Sequence, residues 1–321
     1  MHKRWEAVCR ERSREEVKQG GTYAGQMLTH PGWGQHLLHQ SKLIRPWTEM
    51  EERRWLQMTG RVYPVMSYLR RIDKHPTGAC PWGCKDADGM PARETLGHFQ
   101  SMCKQFRKNR TAAHHAIARA TVAAIKDMRL QNWKIFYETP MSELPFKFKW
   151  ASALEEAEQE NRRADGVAWN EVNGQVMFLE FTRAMDNPDN MSAALETKGD
   201  QYKEAVRALE RAQRCRQTKH PTSIIYISTA PLIFGVRGTV LMDEARAALM
   251  PFNLTEAQLK KVLGAGVRAA ITAASDMCSA RAAALKCLPK APRGTNGRRV
   301  QVRIPQKPFR ARHWRGDRGG G

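Results

Sequence analysis

Two strand-type runs stand out in the pattern of apolar and polar positions. Val176–Thr182 is apolar except at Glu180, and Thr222–Thr229 is continuous and β-branched, so both read as buried strands. A shorter strand is expected at Asp165–Trp169. Asn173-Gly174 between it and Val176 is a hairpin signal. With those two residues as the turn centre, Val172 pairs with Gln175, Val167 with Glu180 and Asp165 with Thr182. Asp165 and Glu180 then share a face as diagonal neighbours, their backbones about 7–8 Å apart.

Helical periodicity covers 48–72, 104–130, 151–163, 192–214, 238–249 and 255–285. Thr48 and Glu51 form a capping box for the first of these, which carries Val62, Val65, Met66 and Leu69 on one face. In the fourth, Leu195, Lys198, Tyr202, Val206 and Leu209 recur at steps of three and four. Lys198 therefore lies on the packed stripe, with Tyr202 one turn on. Gly199 disfavours this helix by about 1 kcal/mol relative to Ala, which suggests a close backbone approach there. Gly264 and Gly266 interrupt the last helix. The aromatic stretch 131–150 reads as a connector with one short strand. Alternating strands and helices give an α/β (α+β) fold class.

The chain of 321 residues holds 53 basic and 32 acidic side chains, a net charge of +21. That excess favours a polyanion, nucleic acid first. No apolar run approaches the roughly 20 residues of a membrane span, and no apolar segment follows the N-terminus. The protein is expected to be intracellular, without a membrane partner. From Pro289 onward ten Lys or Arg face one acid, which reads as a disordered basic tail.

Three of the seven cysteines cluster with a histidine, as Cys80-x3-Cys84, then His98-x4-Cys103 with 13 residues between the pairs. A turn-borne pair followed by His and Cys one helical turn apart suits a closed, structural tetrahedral Zn²⁺ site. Thr95 is positioned to cap the turn bearing His98. The adjacent His114 and His115 point to different faces of a helix and do not read as a ligand pair.

A carboxylate inside Val-Met-Phe-Leu-Glu-Phe is costly to ionise without a partner. Mg²⁺ held jointly by Asp165 and Glu180 answers that cost, and so does a salt bridge to Arg183 or Arg163. Lys198, aimed at such a site, can orient water and stabilise charge on the phosphorane oxygens.

The order of a Cys-Cys-His-Cys finger, Asp165, 14 intervening residues, Glu180, then Lys198-x3-Tyr202 resembles the C-terminal region of site-specific non-LTR retrotransposon polyproteins. That region carries a restriction-enzyme-like endonuclease related to the PD-(D/E)XK nucleases, and the resemblance spans roughly residues 50–230. It implies a PD-(D/E)XK-type mixed-sheet core with helices on both sides, preceded by a small zinc finger and a helical segment. It implies Asp165 and Glu180 as ligands of Mg²⁺ or Mn²⁺. Lys198 replaces the lysine that restriction enzymes keep two residues after the second acid, where this chain has Thr182. Tyr202 matches the family tyrosine, supporting the lysine or contacting phosphate. Ala164 stands where the family usually has proline.

In the family a reverse transcriptase precedes the finger. The chain leaves no room for one, so it is expected to make only the cut. The expected organisation is a basic lead-in (1–47), helical linker and finger (48–110), connector (111–150), endonuclease core with C-terminal helices (151–288) and basic tail (289–321). The implied partner is DNA, with element RNA as a second candidate, and the implied compartment is the nucleus. Arg162, Arg163, Arg298, Arg299, Arg310 and Arg312 are the expected nucleic-acid contacts. The competing reading is a non-catalytic nucleic-acid-binding finger protein on a decayed nuclease scaffold.

Overall fold

A computed structural model describes residues 41–59, 63–72, 77–144, 163–217 and 226–288. The lead-in up to residue 40, the expected helix at 151–163 apart from Arg163, and the tail from 289 lie outside the described residues. So do Arg162, Arg298, Arg299, Arg310 and Arg312. The elements in chain order are α1 (Glu49–Thr59), α2 (Met66–Arg71), α3 (Arg107–Asp127), β1 (Trp133–Tyr137), β2 (Gly166–Asn170), β3 (Gln175–Ala184), α4 (Pro188–Asp200), α5 (Lys203–Gln217), β4 (Tyr226–Gly235), α6 (Met242–Leu249) and α7 (Glu256–Lys286). Among the described residues no helix is long and apolar enough to cross a membrane.

The four strands form one mixed sheet in the order β1-β2-β3-β4. β1 and β2 run antiparallel, as do β2 and β3, whereas β3 and β4 are parallel. A parallel pair needs a long crossover, and α4 and α5 supply it. Both faces of the sheet are covered. Ala168, Met177, Leu179 and Phe181 pack with Ile117, Val122 and Ile125 of α3 and with Val267 and Ile271 of α7. On the other face Val167, Trp169, Val176 and Phe178 pack with Tyr202, Ala205 and Leu209. This two-sided burial is why Val176–Phe181 is apolar at every position but Glu180.

The hairpin between β2 and β3 differs from the two-residue turn. Asn170 pairs with Gln175 and Val167 with Phe178, so residues 171–174 form a four-residue loop. Asn170 Oδ1 accepts the Asn173 N–H at 3.1 Å, and only Gly174 of the loop takes a positive φ, 62°. The type I′ turn needs positive φ at both central residues, and the four-residue loop closed by the Asn170 side chain replaces it. The register moves by two residues, which preserves the face of every side chain. The last pair is Gly166 with Leu179, so the next step places Asp165 directly opposite Glu180, not diagonal to it.

Four helical expectations are also corrected. The stretch 192–214 is two helices: α4 ends at Asp200 and α5 begins at Lys203, with Tyr202 in the joint. A Cβ on Gly199 would meet nothing within 4 Å, so no close packing requires a glycine there. The glycines of α7 do not interrupt it; a Cβ on Gly266 would stand 2.2 Å from the Phe234 ring, so that glycine admits the strand side chain. Thr48 and Glu51 do form the capping box, but α1 stops at Thr59 and a separate α2 starts after Pro64. Proline disfavours a helical conformation at the residue before it. β4 runs on to Gly235 through Pro231, which an edge strand tolerates.

Candidate functional site

Asp165 stands one residue before β2, where β1 and β2 have ended but β3 continues against β4 alone. The unpaired edge of β3 is capped by the acid itself: the Phe181 N–H donates to Asp165 Oδ2 at 2.8 Å. Glu180 points to the face that α4 and α5 cover and is fully buried. Its Oε1 accepts the Asp165 N–H at 3.3 Å. Its Oε2 accepts from Lys198 Nζ at 2.8 Å, and the same ammonium lies 3.7 Å from Asp165 Oδ2. One cation thus spans both carboxylates, which holds those two oxygens within the sum of the two separations.

Lys198 lies in the last turn of α4 on the packed side, as its stripe position requires. Neither Arg183 nor Arg163 pairs with Glu180. Arg183 donates to the Gln100 carbonyl at 3.0 Å, and Arg163 is exposed, in an isolated bridge to Pro140. Tyr202 is buried, stacks on Phe178 with ring centroids 5.3 Å apart, and donates its hydroxyl to the Arg163 carbonyl at 2.6 Å. That contact anchors the chain two residues before Asp165. It leaves the hydroxyl no exposed surface with which to meet a phosphate.

Burial raises the Asp165 carboxyl, but hydrogen bonds from His114 and the Phe181 N–H, with the Lys198 charge, outweigh it and hold Asp165 below the usual range. Glu180 goes the other way, raised first by burial and then by the Asp165 charge, with Lys198 opposing. Two close carboxylates pushed in opposite directions are a common arrangement at acid-base and metal-binding sites.

The second cluster is Cys80, Cys84, His98 and Cys103, all buried, with ligand atoms within 4.8 Å of one another. Cys103 Sγ lies 3.7 Å from Cys80 Sγ and 3.8 Å from Cys84 Sγ. Tetrahedral ligands at a Zn–S length near 2.3 Å stand about 3.8 Å apart. His98 Nε2 is buried with no hydrogen-bond partner, which an imidazole ligand would be without its cation. Thr95 caps the turn, accepting the His98 N–H on Oγ1 at 3.0 Å. Hydrogen bonding between Cys103 and Cys80 pulls the Cys80 thiol down to about 4 and pushes Cys103 up. The donor set, burial and spacing are compatible with structural zinc.

Searches against protein-family models and against curated proteins return no match to this chain.

The finger shares a core with the C-terminal half of α7. Cys80, Cys84, Phe99, Cys103 and Phe106 pack with Ala274, Met277 and Cys278. Buried Glu94 binds Arg281 of α7 through both carboxylate oxygens, at 2.9 and 2.7 Å. This packing ties the metal cluster to the helix that backs the sheet.

Sequence reasoning missed His114 at the acid site. Its Nε2 lies 2.8 Å from Asp165 Oδ1, a contact across 51 positions. The available signal was its place on α3. His114 continues the inward stripe of Ile117, Ala118 and Thr121, all fully buried, in the way Lys198 continues the stripe of α4. His115 turns to the Glu138 carboxylate, and the Glu138 N–H donates to the Asp165 carbonyl at 3.3 Å.

Proposed function

We propose that this chain is a metal-dependent DNA endonuclease of the restriction-like type, similar to the endonuclease region of site-specific non-LTR retrotransposons and acting in the nucleus. The observation that carries the reading is Lys198 spanning Asp165 and Glu180. Two acids directly opposite at the end of a paired strand, with a lysine from the following helix, are the groups that phosphodiester hydrolysis requires. The mixed sheet with helices on both faces is compatible with a PD-(D/E)XK core.

Asp165 and Glu180 would hold Mg²⁺ or Mn²⁺. When bound, the cation supplies Lewis-acid stabilisation of the phosphate charge and lowers the pKa of water. Glu180 fits such a role because burial and the Asp165 charge make its ionised form dependent on a nearby cation. With the cation bound, Lys198 would be placed to donate to the attacking water or to a phosphorane oxygen. Tyr202 holds the chain leading into Asp165. Zinc on the Cys80–Cys103 cluster fixes the finger, and the charge of +21 draws the polyanion.

The Glu180–Lys198 contact also favours a second reading. The ion pair is complete without an added cation, as a decayed, non-catalytic nucleic-acid-binding scaffold would leave it. Incubating zinc-loaded protein with supercoiled plasmid and Mg²⁺ or Mn²⁺ separates the two. Nicking lost in Asp165→Ala and Glu180→Ala supports the nuclease. Plasmid retardation without nicking supports the binding module.

A further inference from the structure

We propose that His114 is a positioning residue for the Asp165 carboxylate, holding one of its oxygens so that the other stays turned toward Glu180 and Lys198. The inference rests on the metal-dependent reading above.

The two oxygens of Asp165 are held by different elements. Oδ1 meets His114 Nε2 of α3 at 2.8 Å, and Oδ2 accepts the Phe181 N–H of β3 at 2.8 Å. An ionised carboxylate only accepts, so Nε2 carries the proton in this contact. Asp165 precedes β2 in a bend, one residue beyond the last strand pair at Gly166. Oδ2 is also the oxygen that faces Lys198, at 3.7 Å. With the histidine gone, the carboxylate keeps one backbone donor and is free to pivot on it.

The support behind His114 is built from the same helix. His115 binds Glu138, and the Glu138 N–H donates to the Asp165 carbonyl, so adjacent histidines brace the side chain and the backbone of one acid. His114 is set on a buried stripe where an apolar residue would otherwise face the sheet. Its side chain is 28% exposed and that of Asp165 is 13% exposed, whereas that of Glu180 is 0% exposed. The contact therefore stands nearer to solvent than Glu180 does.

Partners that orient a metal-binding side chain are typically worth 10–100-fold in metal affinity or activity. The test is calorimetric titration of Mn²⁺ into the zinc-loaded full chain, with D165N/E180Q as the blank. His114→Ala is expected to weaken Mn²⁺ about tenfold. His114→Gln, whose amide reaches about as far and keeps a donor, is expected to stay within about threefold of the unsubstituted protein. In the nicking assay the alanine variant is expected to lose kcat with KM for plasmid unchanged. Thermal melts identify any variant that fails to fold, and the glutamine variant then carries the comparison. Equal Mn²⁺ affinity in the alanine variant, or a folded glutamine variant as weak as alanine, overturns the inference alone. An unsubstituted protein that binds no Mn²⁺ above the blank overturns the metal site, and the inference with it.

Discussion

Glu180 Oε2 lies 2.8 Å from Lys198 Nζ, with the glutamate side chain wholly inside the protein and the lysine only 16% exposed. Breaking a buried pair by removing one member strands the other charge, which costs about 3–5 kcal/mol. Lys198→Met is therefore expected to destabilise the metal-free protein by about 3 kcal/mol, the low end because the lysine retains some solvent. Added Mn²⁺ is expected to recover part of that loss by taking over the glutamate charge. Urea denaturation with and without Mn²⁺ checks both statements, and a melt unaffected by the substitution would contradict them.

The pH dependence follows from the opposite shifts of the two acids. Glu180 is raised by burial first, so its ionisation works against the folded state as pH climbs above the unfolded value of about 4.3. Asp165 is held low against its burial. It contributes stability above about 3.9 that is lost as pH falls through its folded value. Cation binding needs both ionised. Mn²⁺ affinity is accordingly expected to rise with pH from about 4.3 through the raised Glu180 value and then level off. Titrations at stepped pH that give a flat affinity across this range would count against the pair as ligands.

The finger is expected to melt together with the sheet, because its core and its Glu94–Arg281 pair run into α7. Metal analysis should find about one zinc per chain at the three cysteines and His98. Cys103→Ser, or a strong chelator, should lower the single thermal transition and not merely release a separate finger. Two independent transitions would contradict the shared core.

Two glycines give a further contrast. A Cβ on Gly235 would lie 1.9 Å from Asp186 Oδ1 and from Thr239 Oγ1. That buried Asp186 accepts from Arg237 and Thr239. Gly235→Ala is expected to cost more than about 2 kcal/mol by forcing these groups apart. Gly199→Ala, with open space around it, is expected to stabilise α4 by about 0.5–1 kcal/mol. Equilibrium unfolding of the two variants reads the difference directly.

Much of the sheet side of the site was legible because strand period and helical stripe are local. Two acids an even number of register steps apart keep one face whatever the loop does by pairs, so the four-residue loop at 171–174 moved the register without separating Asp165 from Glu180. The stripe through Lys198 likewise survived the break at Tyr202, since the lysine lies on the first of the two helices. The convergence of Cys80, Cys84, His98 and Cys103 into one buried cluster was legible from spacing and residue type. What escaped was long-range: the pairing of Glu180 with Lys198 in place of Arg183 or Arg163, and the approach of His114 to Asp165. Those depend on how α3 and α4 overhang the end of β2, which no short-range pattern carries. Strand β4 extends past the expected end at Thr229 because Pro231, which lacks an N–H, is tolerated on an edge strand.

Asp165 and Glu180 together are proposed to hold the cation needed for DNA cleavage. Supercoiled plasmid incubated with zinc-loaded protein and Mg²⁺ or Mn²⁺ tests it most directly, with Asp165→Ala and Glu180→Ala alongside. Open-circle product is expected from the unsubstituted chain, with a loss of at least about 100-fold in each variant. Nicking that persists in both variants would contradict the site assignment, and an unsubstituted chain that binds plasmid without cutting it would contradict the nuclease itself.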